Sequence, residues 1–163
     1  MPNDLIAKLP ALLPLACQWA EQQERRILQH GIVLTPQQVT DARVIGVRHP
    51  EQVRLMFVRA IPAPEQPELA AAASETKLIS PTTGGLTLFY GIFIRDDCRE
   101  DRHLIAHELA HTAQYERLGG IENFLRQYLL ECVTIGYPEA PLEQEAINRS
   151  RPPPPKSTTQ RKK

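Results

Sequence analysis

Apolar residues recur every three or four positions along much of this chain, the spacing that places them on one face of an α-helix. Residues 11–30 show the pattern first, and Gly31 follows them as a helix stop. A second helix is expected near Pro36, because Thr35 can cap it and proline suits the first helical position. Residues 62–75, alanine-rich and interrupted by prolines, are expected to form a short helix or a loop.

Two segments have the composition of β-strands instead. Residues 53–61 read "VRLMFVRAI", and residues 85–97 read "GLTLFYGIFIRDD", rich in Thr, Phe, Tyr and Ile and bounded by glycines and aspartates. Each segment is therefore predicted to form one strand. The second strand places Leu86 to Ile94 in a sheet.

Helical spacing returns after the second strand. Residues 99–120 have acidic side chains in the first turn and a Gly-Gly pair at the end, both typical of helix termini. Residues 121–132 carry a single apolar stripe, and a last short helix is expected from Pro141. This order of elements predicts an α+β fold, with a small sheet packed on the helix of residues 99–120 and further helices from both ends of the chain.

The chain length suits one domain, which we place at residues 1–148. A chain of 163 residues can bury most of the surface that its unfolded form exposes. Residues 149–163, "RSRPPPPKSTTQRKK", contain no apolar residue except proline. They are expected to form a disordered, proline-rich and basic tail.

The charges balance overall but are unevenly placed. Six of the 19 Lys and Arg side chains follow Glu145, which leaves 13 basic against 19 acidic side chains in residues 1–148. A mildly acidic body argues against a nucleic-acid surface on the folded part, whereas the tail could touch an anionic partner. No apolar run reaches the eighteen or so residues of a membrane span, so no membrane association is expected.

Cysteine usage favours a reducing compartment. The three cysteines are widely spaced and form no Cys-x-x-Cys pair, so neither a disulfide framework nor a cysteine zinc site is indicated. The N-terminal stretch faintly resembles a signal peptide, but Asp4, Pro10 and Pro14 interrupt that pattern. We therefore expect a cytoplasmic protein, with export as the weaker alternative.

A candidate metal site lies in the helix predicted over residues 99–120. His107, Glu108 and His111 form a His-Glu-x-x-His pattern. Residues four apart share a helix face, about 6 Å apart along the axis, so both imidazoles can direct a ring nitrogen at one ion. Two such nitrogens form half of a tetrahedral zinc shell, and Glu108 would lie beside the metal as a base for a bound water. The alternative is an ordinary helix with two histidines.

A catalytic zinc site needs a third protein ligand. The segment "PLEQEA" offers Glu143 and Glu145, which are two positions apart and so point in different directions. We expect Glu143 to be the ligand, with Glu145 as the alternative. His103 lies eight residues before His111, about 12 Å along a helix, which is too far for both to bind one ion.

These elements together resemble the gluzincin metallopeptidases, which pair His-Glu-x-x-His with a glutamate on a later helix. They also resemble short zincin-like domains with a glutamine three residues after the second histidine, here Gln114, and a later "PLE-x-EA" stretch. The resemblance covers about residues 85–150 and nothing before them. It implies that His107, His111 and Glu143 bind zinc and that Glu108 polarises the water.

One position departs from the gluzincin pattern. Four residues after Glu143, where gluzincins place an aspartate that supports a histidine ligand, this chain has Ile147. Orientation of the imidazole would then fall to another group, such as Glu145, Asn148 or a backbone carbonyl.

The resemblance also suggests how a substrate would be held. The strand before the metal helix in zincins is usually an exposed edge that pairs with an extended peptide, and residues 86–94 could serve that role or could form a core strand. A phenol could stabilise the developing oxyanion. Tyr137 is the first candidate for that phenol and Tyr115 the second.

The function expected from this reading is hydrolysis of peptide bonds by a zinc metallopeptidase, with Glu108 as general base and a peptide or protein as substrate. The alternative is a non-catalytic, zinc-stabilised binding module. In that case "RPPPPK" in the tail would recruit a protein partner through a Pro-x-x-P core. Residues 1–84 would either cover the cleft or complete the fold.

Overall fold

The computed structural model describes residues 2–152, with side chains from Asp4 onwards. This part of the chain is α+β, as expected, with six α-helices and one four-stranded mixed sheet. The elements are α1 (Pro2–His30), β1 (Ile32–Val33), α2 (Pro36–Ile45), β2 (Arg54–Val58), α3 (Pro67–Glu75), β3 (Gly85–Leu88), β4 (Gly91–Arg95), α4 (Arg102–Leu118), α5 (Ile121–Thr134) and α6 (Pro141–Ser150).

The sheet order is β1-β2-β4-β3, so β3 is an edge strand and β4 is central. β2 and β4 run parallel, whereas β3 and β4 form an antiparallel hairpin. Both faces of β4 are covered. Ile92 and Ile94 pack in a cluster with α2 and α4, and Phe93 points the other way into a cluster with α1 and α5.

The prediction of one strand over residues 85–97 was wrong, because the chain reverses at Phe89 and Tyr90. Phe89 has a positive φ of 65°, a conformation that residues other than glycine rarely adopt. Tertiary contacts hold this turn. Thr112 Oγ1 donates to Phe89 O over 2.8 Å, and the Phe89 ring stacks on Tyr115 with centroids 5.6 Å apart. The turn residues are both aromatic, so the turn does not carry the Asn-Gly signal by which hairpins are recognised in sequences. This is why the sequence did not predict the reversal.

The first helix is longer than expected, since it begins at Pro2 and passes through Pro10 and Pro14. Each proline removes one helical hydrogen bond. Both prolines lie on the exposed face of α1, where the carbonyl groups left without a helical partner can be hydrated. The N-terminal half of α1 packs through Leu12 and Ala16 on Leu69 of α3.

Helix boundaries follow the local signals elsewhere. Thr35 forms the expected cap of α2 as a reciprocal capping box with Gln38. α4 has Asp101 as its N-cap, and Gly119, in the left-handed conformation, is its C-cap.

The last helix reaches beyond the domain boundary expected at residue 148. α6 ends at Ser150, and Arg149 Nη1 donates to Ile45 O over 2.9 Å. Most of the expected tail, residues 153–163, lies outside the described residues, as does most of its Pro-x-x-P segment. Within the described part of the chain, no helix combines the length and apolarity needed to cross a membrane.

Candidate metal centre

Two helices bring three donor groups to one point. α4 presents His107 and His111 one turn apart, and α6, which packs along α4, presents Glu143. The two Nε2 atoms are 3.2 Å apart, Glu143 Oε1 is 2.9 Å from His107 Nε2, and Glu143 Oε2 is 3.2 Å from His111 Nε2. The residues expected to bind the metal are thus brought together, within 4.8 Å of one another.

These distances fit a small tetrahedral cation. Two donor atoms, each about 2.1 Å from one ion and separated by the tetrahedral angle, lie roughly 3.4 Å apart. The two Nε2 atoms are 3.2 Å apart, and Glu143 offers a different oxygen to each ring, at 2.9 and 3.2 Å; with one ligand atom taken from each residue, all three lie within 4.8 Å of one another. Two imidazoles and one carboxylate also form one of the protein ligand sets of catalytic zinc sites, in which the fourth position stays open. The cluster therefore suits a metal by both distance and chemistry.

Burial and charge set the ionisation of the cluster. Only 2% of Glu143 is exposed. Burial by itself raises the pKa of Glu143, but hydrogen bonds with His107 and His111 outweigh it and hold that pKa well below its usual value. Burial likewise opposes protonation of His111, yet the bond to Glu143 and the charge of Glu108 raise its pKa. Glu143 is thus ionised near neutrality, the form in which a carboxylate binds a metal.

Glu108 lies beside this cluster, and its side chain extends from α4 to the edge strand β3. It is buried, and its Oε2 atom accepts a 2.5 Å hydrogen bond from Thr87 Oγ1. A Cβ atom at Gly85 would come within 2.8 Å of Glu108 Oε1, so the absence of a side chain at Gly85 lets β3 approach the carboxylate. Glu108 lines the same cavity as the three donors without belonging to their group.

The imidazole of His111 is oriented by Gln114, a role that the sequence did not assign. His111 Nδ1 lies 2.8 Å from Gln114 Oε1, and Gln114 Nε2 donates over 2.8 Å to Leu142 O. Because the Leu142 carbonyl only accepts, the amide nitrogen must face it and the amide oxygen must face His111. His111 Nδ1 then carries a proton whether the ring is neutral or charged, and its Nε2 atom is directed at the cluster.

Glu145 does not join the donor group. Its Oε1 atom pairs with Arg117 Nη1 at 2.7 Å and lies 3.4 Å from Gln114 Nε2. Glu145 therefore supports Gln114 and does not contact the imidazole that it was suggested to orient. The signal for Gln114 was present, since residues three apart on a helix are neighbours, but its buried position and its bond to α6 were not visible in the sequence.

The tyrosines near the site have different roles. Tyr128 Oη donates to Glu143 Oε2 over 2.8 Å, a contact hidden in the sequence because Tyr128 belongs to the apolar stripe of α5. Tyr115 is 1% exposed and donates to Thr87 O, so its hydroxyl is committed to the edge strand. Tyr137 lines the cavity, and partial burial, together with the charges of Glu143 and Glu108, raises its pKa to about 12. Both suggested phenols line the cavity, but Tyr137 is 39% exposed and hydrogen-bonds with Glu143, whereas the hydroxyl of the buried Tyr115 is bonded to the edge strand.

The other histidine of α4 stays outside the cluster. His103 is exposed, and its Nε2 atom lies 3.4 Å from Ser150 Oγ. It borders the cavity near the end of α6.

The cluster opens into a cavity of about 820 Å³. Its lining includes the whole of β3, most of residues 76–84, and apolar residues of α1, α3 and α5. Residues before position 85 thus both complete the fold and enclose the space beside the donors.

Replacing Gln114 with leucine is expected to weaken zinc binding about 10- to 100-fold, the usual effect of losing a group that orients a ligand. Leucine has a similar size but neither accepts from His111 nor donates to Leu142 O. The dissociation constant would be measured by competition with a chromophoric chelator, and the protonated nitrogen of His111 by ¹⁵N NMR of the metal-free chain. Gln22→Leu, on the exposed face of α1, is the matched control; equal affinities in the two variants would contradict this role.

No family model, curated protein or solved structure matches this chain. What the site can do follows from its own donor atoms and their surroundings.

Proposed function

We propose that this protein is a zinc-dependent, zincin-like peptidase that hydrolyses peptide bonds. The observation that carries the proposal is the convergence of His107, His111 and Glu143 on one point, with the Glu108 carboxylate beside them and an edge strand alongside. A zinc ion held by the three donors would supply the Lewis acidity that makes a water nucleophilic near neutral pH.

Glu108 is the general base in this scheme. Thr87 occupies its Oε2 atom, so Oε1 is the oxygen that takes a proton as the water oxygen bonds to the peptide carbonyl carbon. Glu108 then returns that proton to the departing amine nitrogen as the C–N bond breaks. Tyr137 donates a hydrogen bond to the carbonyl oxygen, where negative charge develops. Its pKa is raised to about 12, so the hydroxyl stays protonated near neutrality.

β3 is suited to hold the peptide in an extended form. Leu88 pairs with Gly91 at the hairpin end, and the pairing alternates along an antiparallel ladder, so the backbone groups of Gly85 and Thr87 point away from β4. Tyr115 already occupies Thr87 O. The Thr87 N–H and both backbone groups of Gly85 are left to pair with a substrate strand.

The first test is the metal content of protein purified without added metal or a histidine tag, measured by elemental mass spectrometry. We expect one zinc per chain and new peptide termini when the protein is incubated with a mixed peptide pool. A chelator should stop the cleavage and added zinc should restore it. Absence of metal even after zinc is supplied would overturn the proposal, and bound zinc without cleavage would overturn its catalytic part.

A further inference from the structure

The cavity has two chemically different ends. Polar side chains surround the donor cluster at one end. At the other end the walls contributed by α1, α3 and α5 are apolar; we call this end the apolar chamber, and its main lining residues are Leu9, Leu12, Trp19, Leu69, Leu125 and Leu129.

Small side chains contribute to the lining of the chamber. Ala16 of α1 and Ala72 of α3 face it, in the same cluster as Leu12 and Leu69. Protein interiors leave few voids larger than a water molecule. A cavity of about 820 Å³ lies instead within the range of pockets that enclose small ligands, roughly 300 to 1,000 Å³.

The walls restrict what can enter. Among the cavity-lining side chains of α1, α3 and α5, the polar groups are the Tyr128 hydroxyl, which bonds to Glu143, and the indole N–H of Trp19; the other polar lining comes from the segment after α3 and from the donor end. A peptide group buried there would lose its water without gaining partners, which is costly. An apolar side chain has no such cost, and its burial is favourable.

We infer that the apolar chamber binds large apolar side chains, such as those of leucine and phenylalanine, from a peptide whose backbone pairs with β3. The inference rests on the proposed peptidase function and adds its substrate preference. β3 lines the cavity along its full length, so a strand paired with it would present alternate side chains to the chamber. Because the chamber and the donor cluster belong to the same cavity, we expect a preference for peptides with apolar residues near the cleaved bond.

Binding can be tested apart from catalysis, because Trp19 is the only tryptophan of the chain and lines the chamber. A capped peptide with two leucines, and the same peptide with serines in their place, would be titrated into the full chain in the presence of a chelator. We expect the leucine peptide to shift the Trp19 emission and to bind at least about ten-fold more tightly than the serine peptide.

Two alanines of α3 provide a matched pair of variants. Ala72→Phe fills the chamber and should weaken binding of the leucine peptide about ten-fold or more. Ala71→Phe adds the same side chain on the exposed face of α3 and should leave binding unchanged. Circular dichroism checks the fold of both variants, and the comparison of the two peptides on the unchanged chain depends on neither variant.

Several results would overturn the inference: equal affinities for the two peptides, unchanged binding in a folded Ala72→Phe variant, or a fatty acid that binds as tightly as the leucine peptide. The last result would make the chamber a site for acyl chains. Zinc-dependent cleavage without any preference for apolar residues would refute the inference and leave the peptidase proposal intact. Tight binding of the leucine peptide without cleavage in the presence of zinc would refute the peptidase proposal and leave the apolar chamber as a binding site.

Discussion

Glu108→Gln is expected to keep zinc bound while lowering kcat/KM for a cleaved peptide by roughly 10²- to 10⁴-fold, the usual contribution of a general base. The amide has the size of the carboxylate, so it still fits against Gly85, and its oxygen still accepts from the Thr87 hydroxyl. It is not a base that can take a proton from water. The donors of the metal cluster are unchanged, which separates catalysis from metal binding.

The measurement pairs kcat/KM with zinc content for the wild type, Glu108→Gln and a control. Glu100→Gln is a suitable control, because it removes the same charge as Glu108→Gln. Glu100 is exposed, just before α4, and does not line the cavity. We expect the control to match the wild type in both quantities. Turnover retained in Glu108→Gln, with zinc still present, would show that another group removes the proton.

Glu143→Ala is expected to weaken zinc binding by more than the 10- to 100-fold typical of an orienting group, because it removes one of three direct donors. Glu145→Ala should change the affinity by only a few-fold, since Glu145 acts through Gln114 and Arg117 and does not contact the cluster. The two glutamates lie two positions apart on the same helix, so the comparison separates a metal ligand from its neighbour.

Zinc affinity and thermal unfolding with and without zinc would measure this difference. A ligand that binds only the folded chain raises its stability by an amount set by its concentration relative to Kd. Zinc should therefore raise the unfolding temperature of the wild type and of Glu145→Ala, and it should raise that of Glu143→Ala much less. Zinc stabilisation that survives in Glu143→Ala but disappears in Glu145→Ala would reverse the assignment of the third ligand.

The helix signals and the metal motif were readable from the sequence because they are local. The Thr35 capping box and the left-handed Gly119 each depend on a few neighbouring residues, and both occur in the structure. The spacing of His107 and His111 likewise determines that the two rings share a face once the segment is helical.

Two errors arose where tertiary contacts outweighed local preference. The hairpin turn at Phe89 and Tyr90 contains aromatic residues and no glycine, and a hydrogen bond from Thr112 together with ring stacking on Tyr115 holds it in place. α1 continues through Pro10 because its apolar face is buried against the rest of the domain, through Leu12 among others.

The sequence by itself thus determined the α+β composition, the helix that carries both histidines, and a small choice of glutamates for the third position. Tertiary structure decided that Glu143 meets the histidines, that Gln114 links His111 to the backbone of α6, and that α1, α3 and α5 together line an apolar chamber. The physical reason is distance along the chain. A helix face follows from backbone geometry within a few residues, whereas Gln114 and Leu142 are 28 positions apart, and their contact depends on how whole helices pack.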